Sequence, residues 1–381
     1  MKIGLILPAF SASDRDWAIP VLLTLVRALA ARHDVRVFPL RYPFSARPYV
    51  VDQAAVFPIG GGNARGAARL PLLRRAMATV VRAHHTEPFD VLHALWADEP
   101  GFVAVAAGHR LGIPTVVSLA GGELVHLRDI GYGGQASRLN RWLARVALRR
   151  ATHVTAGSTT LAHLTARHVP HRRPTLLPLG VDTELFTPAA TPGRSDGPRL
   201  LHVAALVPVK DQATLLRACS LLTRSFPGLH LDIVGEGPLR SDLDALGARL
   251  GIGDRITFRG AVAHDCLPAL YRAADLLVLS SRYEAQAMVV LEAAACGLPV
   301  VGTAVGMLPD LGPAARTVPP GHPAALAAAL RDVLADPAQR HAMRRAALEA
   351  VASRYTMAHT VAALEKLYQT PRCPCPPHDR A

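Results

Sequence analysis

Short runs of consecutive apolar residues alternate along this chain with longer stretches whose apolar positions recur every three or four residues. Unbroken apolar runs bounded by turn residues predict strands buried on both faces, and the longer periods predict amphipathic helices. "KIGLILPAF" reads as a strand, "WAIPVLLTLVRALAAR" as a helix and "DVRVFPL" as a strand. The alternation continues through "DVLHALW", "GFVAVAAGHRLG", "PTVVSLA", "RLNRWLARVALRRA", "HVTAGS" and "RPTLLPLG". Residues 180–199 break it with Pro, Gly, Thr and Asp, which predicts a linker. The alternation restarts at "RLLHVAAL" and runs through "DLLVLSS", "AMVVLEAAAC" and "PVVGT" to helices near 323–354 and 356–369. The expected fold is α/β, with two doubly wound parallel-sheet domains facing a deep cleft, and ligands bind at the C-terminal strand ends of such sheets. The divisions expected are a first domain over 1–185, a linker over 186–198 and a second domain over 199–355. A closing helix at 356–370 and a disordered tail at 371–381 follow.

A length of 381 residues suits two cores, and 50% hydrophobic with 19% charged residues is a globular balance. Only 5% aromatic residues argue against stacking platforms for single-stranded nucleic acid, and no nucleic-acid module is present. The net charge of +13 is almost entirely arginine, with lysine only at Lys2, Lys210 and Lys366. That bias fits GC-rich coding as well as an acidic partner. Arg138, Arg141, Arg145, Arg149 and Arg150 fall mostly on one side of a helix, either as a solvated face or toward an anionic membrane. Cys219, Cys266 and Cys296 sit in apolar surroundings and are expected to be buried in a reducing cytosol. Cys373 and Cys375 fall in the Pro-rich tail. "IGLILPAF" is too short for a secretory leader, and residues 293–309 are punctuated by Gly and Pro rather than spanning a membrane. A cytoplasmic protein, at most peripheral on the inner face of the membrane, is expected.

The stretch "SSRYEAQAMVVLEAAACGLPVVGT" holds the candidate chemistry. Glu284 falls in the loop after a strand, and the helix starts near Gln286 or Ala287. Glu292 lies about two turns further on. A helix N-terminus between two carboxylates offers N–H groups to a phosphate and acceptors to sugar hydroxyls. An equally simple reading makes Glu284 a helix-entry residue and Glu292 a partly buried ion-pair member.

The run 280–306 resembles the E-x7-E region of retaining glycosyltransferases of family 4, also called group 1, which have the GT-B fold of two Rossmann-like domains. "LLPLGVDTELFTP", "ALVPVKDQATLLRA", "LDIVGEGPLRSDL", "RITFRGAV" and "LPALYRAADLLVLSS" resemble the same family in order. The resemblance implies an acceptor-binding first domain, a donor-binding second domain and a final helix that crosses back to the first. It implies that Glu284 binds hydroxyls of the transferred sugar, and that the N–H groups of Gln286, Ala287 and Met288 bind its sugar or phosphate. Glu292 would bind the ribose, Lys210 the diphosphate, and Arg259 would lie beside the base. Glu284 and Lys210 are the residues assigned to catalysis, and no cofactor or metal is implied beyond the nucleotide-sugar substrate. The departing phosphate would take the acceptor's proton on the same face. The partners implied are a nucleotide-diphosphate sugar and a carbohydrate, lipid-linked or small-molecule acceptor.

Three positions depart from the family pattern. Ala205 stands where an arginine is usual, a contact worth roughly 10- to 150-fold in affinity, and Arg282 is the candidate replacement. Ala120 stands where a histidine usually faces the sugar; Gly121, Gly122 and Glu123 beside it are acceptor-side candidates, with Glu123 the candidate polar substitute. The first loop lacks its glycine pair, leaving Asp14, Asp16 and Trp17 as acceptor-side candidates or an ordinary polar loop. His93, closing a strand at the cleft, is either structural or acceptor-facing. No His and carboxylate pair has metal-ligand spacing, "VGEGPLR" breaks the dinucleotide fingerprint, and no G-x-S-x-G elbow occurs. The expected function is transfer of a sugar from a nucleotide-diphosphate donor to an acceptor hydroxyl in polysaccharide, glycolipid or glycoconjugate biosynthesis. The alternatives are a GT-B nucleotide-sugar-binding protein that has lost transfer, an epimerase or a phosphorylase.

Overall fold

The computed structural model describes residues 1–13, 16, 18–45, 47–171, 173–188 and 197–370. Asp14, Trp17 and the tail cysteines lie outside the described residues. The first sheet comprises β1 (Lys2–Ala9), β2 (Asp34–Tyr42), β3 (Tyr49–Val51), β4 (Ala54–Val56), β5 (Val91–Leu95), β6 (Thr115–Leu119), β7 (His153–Ala156) and β8 (Thr175–Leu176). Its order is β3-β4-β2-β1-β5-β6-β7-β8, parallel except for the β3–β4 hairpin. Around it lie α1 (Pro20–Ala30), α2 (Arg69–Thr86), α3 (Glu99–Leu111), α4 (Arg138–Arg150) and α5 (Thr159–His168). Every residue of β5 and β6 is buried, as expected of central strands covered on both faces.

The second sheet comprises β9 (Arg199–Val203), β10 (His230–Val234), β11 (Ile256–Gly260), β12 (Leu276–Leu279), β13 (Val300–Thr303) and β14 (Ala315–Val318). It is wholly parallel in the order β11-β10-β9-β12-β13-β14. The chain reverses its direction of winding between β9 and β12, so the loops leaving these two neighbours emerge side by side. The helices are α6 (Gln212–Leu222), α7 (Arg240–Arg249), α8 (Leu267–Ala273), α9 (Met288–Ala295), α10 (Pro323–Ala335) and α11 (Pro337–Ala350). The last, α12 (Met357–Gln369), begins after a π-helical turn at Val351–Tyr355.

Apolar period explains where α12 docks. Met357, Val361, Leu364 and Tyr368 share one face, and that face packs into the first domain's core with Leu22, Val26 and Leu177. Glu365 Oε1 lies 2.8 Å from His33 Nε2, and Thr360 Oγ1 accepts from Gly180 N at 2.8 Å. The run "RPTLLPLG" forms only the two-residue β8, because Leu177 and Leu179 leave the sheet to pack against this core. Cys266 corrects another expectation. It is exposed just before α8, whereas Cys219 and Cys296 are buried, with thiols pushed up to about 12 by burial.

Candidate active site

The side-by-side loops after β9 and β12 bring two distant charges together. After β9 a short 3-10 turn at Pro208–Lys210 presents Lys210, and Asp211, at φ 47°, starts α6 by accepting from Thr214 N and Oγ1. Ser280 Oγ donates to Lys210 O at 2.8 Å, and Arg282 N to Val209 O at 2.8 Å, which ties the two loops. Lys210 Nζ consequently stands 2.6 Å from Glu284 Oε1, to which Ser281 Oγ also donates at 2.6 Å. The side chains are 24% and 11% exposed, so the pair sits at a sheltered edge rather than on open surface.

Ala287, at φ 74°, turns the chain into α9 and its carbonyl accepts from Val290 N at 3.1 Å, with no side-chain cap on the helix N-terminus. Glu284, Gln286, Ala287 and Met288 form one wall of an interdomain cavity of about 230 Å³. His93, Trp96, Ala120, Gly121 and Tyr132 form the facing wall from the first domain. The amide of Gln286 fastens the walls together, donating to Leu179 O at 2.6 Å and accepting from Leu179 N at 2.9 Å. Gly157 permits this, since a Cβ there would come within 2.3 Å of Gln286 Oε1. Tyr283 Oη donates to Gly121 O at 2.9 Å, and Ser158 Oγ to Ala285 O at 2.7 Å.

Several expected ligand-facing groups are committed elsewhere. Glu123, offered as a polar substitute beside Ala120, is buried and turned inward. It accepts from Ala97 N at 3.2 Å, Ala120 N at 3.2 Å and Gly121 N at 2.8 Å. Burial and then the nearby Asp98 raise its carboxyl to about 7, against the pull of those N–H groups. Gly122 O is held by Gly134 N at 2.8 Å. Asp16 staples its own loop, accepting from Ala12 N at 2.7 Å and Tyr42 Oη at 2.8 Å.

His93 has both ring nitrogens occupied, Nδ1 at 2.7 Å from Tyr368 Oη and Nε2 at 2.7 Å from Ser118 Oγ. Burial lowers it to about 3, so the ring is neutral and ties α12 to the sheet while touching the cavity. Arg259 is exposed at the end of β11, and its Nε donates to Asp232 on β10 at 2.8 Å, which anchors one edge of the guanidinium to the sheet. Arg282 reaches across the cleft to the carboxylate of Asp129 rather than toward Lys210. Glu292 is 7% exposed, accepts from Tyr271 Oη at 2.7 Å and lies 3.1 Å from His264 Nε2. It braces α8 against α9 here, with one partner on each carboxylate oxygen.

Tyr132, Tyr283, Trp96 and Ser281 were not singled out from the sequence. "RDIGYGG" and "SSRYE" carry no spacing that marks a tyrosine as cleft-facing. Burial, then Glu284 and Glu123, raises the Tyr132 phenol to about 12, which leaves it a hydroxyl donor at neutral pH. No group of three His, Cys, Asp or Glu among the described residues could hold a metal ion.

Known proteins share this architecture and its motifs. The model of the family "Glycosyl transferases group 1" matches residues 187–350, and that of "Glycosyltransferase Family 4" matches residues 20–185. A D-inositol 3-phosphate glycosyltransferase of Mycolicibacterium gilvum is 33% identical over 318 residues, 75% of this chain and 68% of that protein. A GDP-mannose-dependent alpha-(1-6)-phosphatidylinositol monomannoside mannosyltransferase of Mycolicibacterium smegmatis is 34% identical over 47% of this chain, which spans 50% of that protein. Among solved structures, sucrose-phosphate synthase from Thermosynechococcus elongatus superposes with a TM-score of 0.79 at 23% identity, covering 96% of this chain and 98% of that one. The Anabaena protein HepE in complex with UDP-glucose gives 0.72 at 20% identity over 96% and 99%. With both domains matched in order, and the two sheets meeting at the cleft that those motifs line, the chain belongs to the family 4, or group 1, glycosyltransferases of GT-B fold.

Proposed function

We propose that this protein is a retaining hexosyltransferase that moves a sugar from a nucleoside-diphosphate donor to an acceptor hydroxyl. The observation that carries the reading is the Lys210–Glu284 pair, at 2.6 Å, with Glu284 on the cavity wall beside the N-terminus of α9. A diphosphate brings negative charge to an ammonium and to the N-terminus of a helix, and a sugar brings hydroxyls to a carboxylate. Lys210 turns to the diphosphate when the donor enters, which frees Glu284 Oε1 for the sugar. Glu292 takes the ribose by exchanging its bond with His264, and the backbone after β11 flanks the base.

Closure of the two domains brings the acceptor oxygen to the sugar, so orientation supplies a large share of the rate. Charge developing on the departing diphosphate is met by Lys210 and the first turn of α9. The inward turn of Glu123 and the methyl at Ala120 leave that wall without a carboxylate base. Proton transfer from acceptor to leaving phosphate on one face, with retention, fits such a wall. HepE is solved with UDP-glucose and the mycobacterial relatives are named for phosphoinositol acceptors, which favours a nucleotide-sugar donor and a polar or lipid-linked acceptor here. We place the enzyme in the cytoplasm, without a nucleic-acid partner or a metal requirement.

The test is incubation with UDP-, GDP-, ADP- and dTDP-sugars and a set of hydroxyl acceptors, following nucleoside-diphosphate release and the anomeric configuration of the product by NMR. A product with the donor's configuration supports the proposal, and the opposite configuration overturns retention. Donor binding without turnover for any acceptor favours the binding-protein reading that Ala205 and Ala120 suggest.

A further inference from the structure

The helices α2, α3 and α4 cover one face of the first sheet and carry a single acidic residue between them, Glu99. That residue is buried beneath two guanidinium groups, Arg41 Nε at 2.8 Å and Arg69 Nε at 2.6 Å. Arg74 on α2 and Arg138, Arg141 and Arg145 on α4 are exposed.

Between α2 and α4 runs a groove of about 440 Å³ floored by Phe102 of α3. Its rims carry Leu70, Leu139 and Trp142, which are 54%, 40% and 52% exposed. Three of the large apolar side chains that the described residues leave in water thus meet at one groove. Trp142 stacks obliquely on Phe102 with ring centroids 5.3 Å apart, so it is held in place rather than loose. The opposite face of α4 is anchored by Leu143, Ala144, Ala147 and Leu148.

We propose that this face docks on an anionic lipid bilayer, with Leu70, Leu139 and Trp142 entering the interface and the arginines meeting the headgroups. A basic, acid-free helical face with exposed Leu and Trp is the composition of an interfacial helix. Charge decides between occupants. A second copy brought face to face would oppose arginine to arginine with no exposed carboxylate on these helices to compensate. Nucleic acid offers nothing to cover an aliphatic groove. A bilayer supplies both the negative charge and the apolar layer.

The docking face also adjoins the cleft. The loop between β6 and α4 carries Gly121 and Tyr132 on the cavity wall, and Gln135 of that loop donates to Glu123 O at 2.6 Å. An acceptor embedded in the leaflet therefore has a short path to the transfer site. The inference stands on the surface alone and its test reads lipid binding, so its failure leaves the donor site untouched.

The experiment is flotation of the full chain with phosphatidylcholine vesicles and with vesicles of equal parts phosphatidylcholine and phosphatidylglycerol, at low and high salt. Binding is expected only to the anionic vesicles, weakening as salt rises. Each arginine near such a surface adds about fivefold, so Arg138→Ala/Arg141→Ala/Arg145→Ala should weaken binding by about a hundredfold. A vesicle-induced shift in tryptophan fluorescence should vanish in Trp142→Phe. All these positions are exposed, and an unchanged melting temperature certifies the fold of each variant. No binding of the wild type to anionic vesicles at low salt overturns the proposal. So does unaltered binding by the well-folded triple variant, or a dimer in sedimentation that Trp142→Ala dissolves.

Discussion

Lys210 Nζ and Glu284 Oε1 lie 2.6 Å apart although 74 residues separate them, because β9 and β12 are parallel neighbours whose C-terminal loops leave together. A sheltered pair of this kind is costly to break from one side, since the remaining charge is left desolvated. Lys210→Met should therefore destabilise the protein more than Lys210→Met/Glu284→Gln does. Urea unfolding of the single and double variants should give a coupling of about 1–3 kcal/mol. Additive losses would place the two groups out of contact in solution.

Arg282 and Asp129 form the cross-cleft ion pair at an exposed edge, with Asp129 63% exposed. Pairs in such settings contribute little, so both Arg282→Ala and Asp129→Ala should leave the melting temperature nearly unchanged. Their effects on donor affinity should diverge if Arg282 supplies the phosphate contact that Ala205 cannot. Arg282→Ala should weaken donor binding roughly 10-fold or more, and Asp129→Ala should not weaken it. Calorimetry on both variants reads the difference directly, and equal affinities would remove Arg282 from the donor site.

Much of the fold was legible because strands buried on both faces, such as β5 and β6, are unbroken apolar runs. The β3–β4 hairpin was not, since three-residue strands at a sheet edge, with Val50 exposed, carry too little period. Glu284 announced itself by standing in an apolar stretch after a strand. Sequence could not say whether Glu123 or Asp16 turns outward, because a carboxylate that caps loop N–H groups and one that awaits a ligand look the same in a string of letters. The bond from Arg259 to Asp232 was hidden for a related reason, as the two lie on different strands. Tyr132 and Tyr283 meet, with ring centroids 6.0 Å apart, only once the two domains face each other.

Glu123 and His93 give the stability curve opposite slopes. With Glu123 raised to about 7 from the ordinary 4.5, the folded protein keeps a proton that the unfolded chain releases. Its contribution is therefore lost as pH rises from about 4.5 to about 7, with a slope approaching 1.4 kcal/mol per pH unit at most. His93, lowered to about 3 from 6.5, works the other way, and its contribution is lost as pH falls below 6.5. Because His93 is common to both proteins, urea unfolding from about pH 5 to about pH 8 should show the wild type losing stability relative to Glu123→Gln as pH rises. Parallel profiles would mean that Glu123 is ionised throughout.

Tyr271 Oη donates to Glu292 Oε2 at 2.7 Å in a fully buried setting. Tyr271→Phe removes only the hydroxyl oxygen and leaves the carboxylate short of a donor. A loss of about 1–3 kcal/mol in unfolding free energy is expected, without a change in the denaturant slope. An unchanged midpoint would show that Glu292 does not depend on this bond.

The central claim is a nucleotide-sugar site built on Lys210, Glu284 and the N-terminus of α9, and thermal stabilisation by donors tests it most directly. The wild type and Lys210→Ala are each melted alone and with UDP-, GDP-, ADP- and dTDP-sugars. A donor present at 100 times its dissociation constant adds about 2.7 kcal/mol to a folded protein that binds it. The account predicts that at least one donor raises the wild-type melting temperature and that Lys210→Ala, though folded, loses the shift at the same concentration. A folded wild type that no donor stabilises, or a shift that Lys210→Ala retains in full, would contradict it.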